Sequence, residues 1–143
     1  MSSPLIHNQL NAQLRTISHG EGVWLFDTEG NRFLDGSSGA VAVNIGHARP
    51  EVVEAIAEQA ARVTYTHRGA FTSAPAEELA ARLTEYTGYA GAWFVGSGAE
   101  ANEASMQLAL QYFREIGQPE RHWFLSHEFG FHGSTLGALS MSG

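Results

Sequence analysis

Ala92-Trp-Phe-Val-Gly-Ser-Gly-Ala-Glu-Ala101 leaves few folds open to this chain. Trp93, Phe94 and Val95 form an unbroken apolar run of β-formers, the pattern of a strand covered on both faces. Gly96, Ser97 and Gly98 make a tight turn, in which glycine permits positive φ and close approach of other groups. From Ala99 the period becomes helical: Ala101, Ala104, Leu108, Tyr112 and Ile116 recur at three- and four-residue spacing until Gly117 and Pro119. Strand, glycine turn and helix N-terminus together gather free N–H groups at the positive end of a helix dipole. That is an anion site, and phosphate is the first candidate.

The segments on either side repeat this grammar. Val23–Phe26 and Arg32–Leu34 are β-rich runs around the turn residues Asp27-Thr-Glu-Gly-Asn31, which predicts a hairpin. Asp35-Gly-Ser-Ser-Gly is a loop rich in small residues. Pro50 opens a helix striped by Val52, Val53, Ile56 and Val63. Thr64 to Phe71 is an irregular linker. A second helix runs from a Ser73 cap, with Pro75 in its first turn, to Gly88. Leu5, Ile6, Gln9, Leu10 and Leu14 suit one short helix. After the central helix, His122–Ser126 is a further strand. Gly130-Phe-His-Gly133 is a second glycine-framed turn, and Ser134 or Thr135 caps a last helix. The order strand, turn, helix, strand, turn, helix predicts a mainly parallel sheet covered by helices, preceded by an N-terminal hairpin segment: an α/β fold. Ligands of such sheets sit beyond the carboxyl ends of the strands, where both glycine turns fall.

Composition narrows the function. The net charge of −7 argues against general nucleic-acid binding, and with no cysteine there is neither a disulfide nor a thiolate metal site. No apolar stretch approaches the roughly 18 residues of a membrane span, and the opening residues lack the pattern of a secretory signal, so a cytoplasmic location is expected. His127-Glu-Phe-Gly-Phe-His132 is one residue too long for the zinc motif H-E-x-x-H. Gly96–Ala101 also matches the dinucleotide fingerprint G-x-G-x-x-A, but Glu128 stands 32 positions beyond Gly96 where an acidic residue about 20 positions on is wanted. Phe131, between two glycines at the sheet edge, is placed to lie on a planar ligand or to fold back on the protein. Arg68, in the linker, is either solvated or paired with a carboxylate. All eight basic residues besides histidine are arginine: the chain contains no lysine.

Four blocks, in order, resemble one family. Gly96-Ser-Gly-Ala-Glu-Ala-Asn-Glu-Ala104 resembles the S-G-[ST]-E-A-x-E-A stretch of class III aminotransferases, pyridoxal-phosphate enzymes of fold type I. Phe129-Gly-Phe-His-Gly-Ser-Thr-Leu-Gly-Ala138 resembles their Y-H-G-x-T-x-G-A segment. Asp35-Gly-Ser-Ser-Gly with Asn44-Ile-Gly-His-Ala-Arg-Pro50 resembles D-x-x-S-G and N-x-G-H-x-x-P. Phe71-Thr-Ser-Ala-Pro-Ala resembles F-T-N-E-P-A.

The resemblance implies that Gly98 and Ala99 give backbone N–H groups to the phosphate of pyridoxal 5'-phosphate, with Ser97 close by. Phe131 stacks on the pyridine ring in place of a more usual tyrosine, and His132 is its neighbour. Ser38, Gly39 and Val41 lie near the substrate, an amine or amino acid and a keto acid. Residues 1–66 would belong to the small domain, and residues 67–143 would begin the cofactor-binding large domain of an incomplete fold type I. The complete enzyme would be a homodimer. Without lysine the chain holds no Schiff-base residue, so none of its residues is catalytic and the chain alone is expected to be inactive, poorly soluble or oligomeric. A dinucleotide-binding module, a non-catalytic binding fragment, and a same-fold aminomutase or racemase are the alternatives.

Overall fold

A computed structural model of the chain describes residues 5–6 and 12–143. Gln9 and Leu10, central to the short helix expected near the N-terminus, lie outside the described residues. The chain divides into two compact units, Met1–Phe71 and Thr72–Gly143.

In the first unit, β1 (Ile17–Glu21), β2 (Trp24–Asp27) and β3 (Arg32–Leu34) form an antiparallel sheet in the order β1-β2-β3. The expected hairpin is β2–β3, with Trp24 opposite Leu34 and Phe26 opposite Arg32. Strand β1 was not foreseen, because Ile17-Ser-His-Gly-Glu21 has no apolar alternation. Local polar contacts hold it. The Ser18 hydroxyl donates to the carbonyls of Phe26 (3.0 Å) and Asp27 (3.2 Å) at a register shift between Ile17 and His19. The His19 ring stacks on Phe26 with centroids 4.5 Å apart.

Asp27 organises the hairpin turn. Its side chain accepts from the backbone N–H groups of Glu29 (3.0 Å) and Asn31 (2.8 Å), the Asn31 amide (2.9 Å) and the Arg15 guanidinium (3.1 Å), and the residue is only 4% exposed. This is an Asx turn with its acceptor capacity filled. The Asn31 side-chain amide, then the backbone donors and Arg15, outweigh burial and hold the carboxyl below its ordinary value of 3.8. A folded pKa below the unfolded one contributes stability that is fully present above about pH 4 and is lost as pH falls through the folded value. The urea midpoint is therefore expected to fall in acid, and Asp27→Asn is expected to flatten that fall. An unchanged acid dependence in Asp27→Asn would remove Asp27 as its source.

After the sheet, α1 (Ser38–Val41) is a single left-handed turn. Its φ values are 51°, 58°, 64° and 66° at Ser38, Gly39, Ala40 and Val41. For L residues this costs roughly 1–2 kcal/mol each, and three of the four are not glycine. Helix α2 (Pro50–Arg62) starts at Pro50 as expected, and Val52, Val53 and Ile56 of its stripe are exposed.

The second unit contains α3 (Ala74–Thr87), α4 (Gly98–Glu115) and α5 (Leu136–Ser140). Ser73 takes the N-cap position of α3, although its hydroxyl makes no capping bond, and Gly88 closes the helix at φ 75°. Gly117, at φ 77°, ends α4, its N–H bonded to the Arg114 carbonyl and that of Gln118 to the Phe113 carbonyl. The two strands expected here do not form: residues 92–95 and 122–126 are irregular, and β1–β3 is the sheet among the described residues. Their apolar composition favours extended chain, but a strand also requires a neighbour about 4.8 Å away in a ladder, and these two segments do not ladder with each other. Trp123 and Leu125 are accordingly 86% and 96% exposed. Among the described residues, no helix is long and apolar enough to cross a membrane.

Candidate cofactor site at the start of α4

Helix α4 begins at the second glycine of the first turn. Ser97 is its N-cap, with extended φ −156° and ψ 162°, and its hydroxyl accepts from the Glu100 N–H at 3.2 Å. The Glu100 carboxylate folds back and accepts from the Gly96 N–H at 2.6 Å. This is a capping box shifted by one residue. It satisfies the flanking donors and leaves the N–H groups of Gly98 and Ala99, the first two residues of the helix, with no acceptor within it. Gly98 is exposed, and a Cβ placed on it would meet nothing within 4 Å, so there is open space beside the first residue of the helix. Open donors on a fixed helix end suit a phosphate.

The second turn lies directly on the first. Gly133 has φ 127°, and a Cβ there would stand 2.6 Å from the Ala99 Cβ and 3.1 Å from the Ala138 Cβ. Polar ties from α4 hold it in place. The Asn102 amide donates to the His132 carbonyl. The Glu103 carboxylate accepts from the Thr135 hydroxyl at 2.7 Å and from the Gly137 N–H at 3.1 Å. The His132 N–H donates to the Ser142 hydroxyl at 3.1 Å, while its Nε2 is buried without a hydrogen-bond partner. Thr135 caps α5 through the Ala138 N–H.

Ser97, Gly98 and Ala99 are thus brought together with the loop that carries Phe131 and His132. Phe131 is 80% exposed rather than folded into the protein, which leaves its ring face available to a planar group. Backbone donors for a phosphate and an aromatic ring for a heterocycle are a donor set that fits pyridoxal phosphate. Ser38, Gly39 and Val41 belong to the first unit, where they make up most of α1. Among the described residues, no cluster of three or more histidines and carboxylates could hold a metal ion.

Glu100, Asn102 and Glu103 shape this site without a role in the sequence reading, and Gly133 is read there only as the frame of a turn. Ser97-x-x-Glu100 is a capping-box signature, so Glu100 was recoverable from local pattern. The other three act on residues 30 to 34 positions away or by close backbone approach, and no local spacing encodes that.

Comparison with known proteins places the chain in a family. The family model for class-III aminotransferases matches residues 6–143. An uncharacterised aminotransferase of Bacillus subtilis (strain 168) is 45% identical over 145 residues, covering 100% of this chain and 33% of that protein. The acetylornithine aminotransferase of Agrobacterium fabrum is 40% identical over 143 residues, covering 99% and 35%. Among solved structures, an (S)-enantioselective omega-transaminase from Thermomicrobium roseum superposes with a TM-score of 0.84 at 43% identity, covering 91% of this chain and 30% of that one. An aminotransferase of Bacillus anthracis gives 0.85 at 33% identity, covering 96% and 30%. The chain spans about a third of the length of the curated relatives it matches. With a fold shared with the front part of transaminases and a family match from residue 6 to residue 143, the chain belongs to the class-III aminotransferases.

Proposed function

We propose that this chain is the front part of a pyridoxal-phosphate-dependent aminotransferase that moves an amino group between an amine or amino acid and a keto acid. The observation that carries the reading is the seating of Gly133 on Ala99, which joins an open helix N-terminus to an exposed aromatic loop in a member of this family. The N–H groups of Gly98 and Ala99 hold the phosphate. The Ser97 hydroxyl accepts from Glu100 and keeps its own proton to donate to a phosphate oxygen. Phe131 covers one face of the pyridine ring, and His132, tied to Asn102 and Ser142, fixes where that loop stands. The chemistry supplied by the bound cofactor is an electron sink for the bonds at the substrate's amine carbon.

Ser38, Gly39 and Val41 face the substrate in this reading. Residues 1–66 contribute to a small domain and residues 67–143 begin the cofactor-binding domain. The lysine that the chemistry needs lies outside residues 1–143, which contain none. The complete enzyme is a cytoplasmic homodimer.

The test is a half-reaction. The complete protein, loaded with pyridoxal phosphate and mixed with an amino-acid donor, is expected to release the matching keto acid and leave the cofactor in its amine form, followed by absorbance. Phe131→Ala should weaken cofactor binding about two- to twelvefold, the value of a stacked aromatic pair of roughly 0.5–1.5 kcal/mol, and Phe131→Tyr should retain it. Keto acid formation without cofactor, or an unchanged affinity in Phe131→Ala, would count against the assignment.

A further inference from the structure

Left-handed turns persist only where the surroundings over-determine them. Turn α1 has three non-glycine residues at positive φ and buries no side chain. Apolar packing therefore does not hold it, and Val41 stands 86% exposed. What holds it is polar. The Asp35 carboxylate accepts from the His47 Nε2 at 2.9 Å and from the hydroxyl of Ser37, the N-cap of the turn, at 3.2 Å, and the Asp35 backbone carbonyl accepts from the Ser38 N–H inside the turn at 3.3 Å. Its side chain is only 6% exposed, so water competes little for these bonds.

Both ends of the loop are fastened to the same turn, Gly22 and Val23 between β1 and β2. The Asp35 N–H donates to the Val23 carbonyl at 2.9 Å, while Gly22 and His47 exchange backbone bonds of 3.1 and 2.7 Å. The His47 side chain is pressed against Gly20, where a Cβ would stand 2.7 Å from its Cβ and Cγ. The imidazole is thus fixed on one side by backbone and on the other by Asp35, and Asp35 reaches the turn.

We propose that Asp35 and His47 are positioning residues that clamp α1 in its left-handed turn and so set how the amino donor meets Ser38, Gly39 and Val41. The clamp stands on geometry, and its consequence for substrate rests on the proposed function. The side-chain contacts of the pair lie within the first unit, to Gly20, Ser37 and each other. Its loss should leave the start of α4, in the other unit, unchanged.

The experiment compares Asp35→Ala, His47→Ala and His47→Gln in the complete enzyme, with L-alanine as the amino-donor probe and 2-oxoglutarate as acceptor. In the two alanine variants, amide exchange of residues 38–43 is expected to quicken about tenfold or more as the turn opens locally. The KM for L-alanine is expected to rise about tenfold with kcat within about threefold and cofactor affinity unchanged, the signature of lost ground-state positioning. In His47→Gln the amide can still donate to Asp35, so most of both effects should be rescued. Unchanged exchange in the alanine variants overturns the clamp, and so does a parallel loss of cofactor affinity, which would mark a general loss of fold. If Asp35→Ala does not fold, the His47 pair decides by the same readouts. An enzyme with no transamination of any donor sinks the functional reading instead, and exchange then still decides whether the clamp exists.

Discussion

Gly133→Ala is expected to destabilise residues 72–143 by roughly 2–5 kcal/mol and to lower pyridoxal phosphate affinity by about 100-fold or more. Two costs coincide there. An L side chain at φ 127° is strained whatever the space around it, and the new Cβ would stand 2.6 Å from the Ala99 Cβ and 2.8 Å from the Ala99 Cα, atoms of a helix that cannot swing aside. Relief requires the second turn to lift off the first, which separates the Phe131 loop from the Gly98 and Ala99 donors. A thermal melt and a cofactor titration read the two effects separately. Gly88→Ala is the control. It shares positive φ, at 75°, but a Cβ there meets nothing within 4 Å, so it should cost only about 1 kcal/mol with affinity unchanged. Wild-type affinity in Gly133→Ala would show that the two turns do not act on one ligand.

Residues 1–143 prepared alone are expected to show no transamination and to self-associate. The first expectation follows from the absence of lysine: pyridoxal phosphate can be held by this chain only through non-covalent contacts. The second follows from the surface. Trp123, Leu125, Phe129 and Phe131 are all at least 80% exposed within ten residues of sequence, and large apolar side chains left in water at this density drive association. Light scattering on the purified chain checks the second, and a keto acid assay checks the first. A monodisperse monomer, or turnover by residues 1–143 alone, would sink the corresponding expectation.

The parts of this molecule that read directly from sequence are those whose causes are local. Pro50, Pro75, Gly88, Gly117 and Thr135 mark helix ends because proline, glycine and small hydroxyl side chains act within one turn of chain. The β2–β3 hairpin is legible because Asp27 and Asn31 close their own turn. The helix start at Gly98 is legible because a glycine turn and a helical period are consecutive in sequence. Residues 92–95 and 122–126 misled because composition records a preference for extended backbone but not the presence of a ladder partner. Strand β1 was missed for the converse reason: its ladder rests on Ser18 and His19 contacts that leave no hydrophobic period. The handedness of α1 was also hidden, since Ser38, Ala40 and Val41 carry no preference for positive φ, and the groups that impose it, Asp35 and His47, stand twelve residues apart.

The tie from Glu103 to the Gly137 N–H spans 34 residues, and that span orders events during synthesis. The hairpin and its Asp27 turn close within fewer than twenty residues of chain, so they can form as soon as they leave the ribosome, where elongation runs at about 5–20 residues per second. The contact between the two glycine turns, the proposed phosphate cradle, cannot be completed then. Helix α4 emerges with its first turn capped by Ser97 and Glu100, and it must wait about two to seven seconds at those rates for the loop of Phe131 and the start of α5. Through that interval Asn102 and Glu103 point polar groups at a position still empty of chain. A ribosome paused between Gln118 and Gly133 would present a finished hairpin and an unfinished second turn, and nascent-chain cofactor binding should switch on only after Gly137 has cleared the exit tunnel.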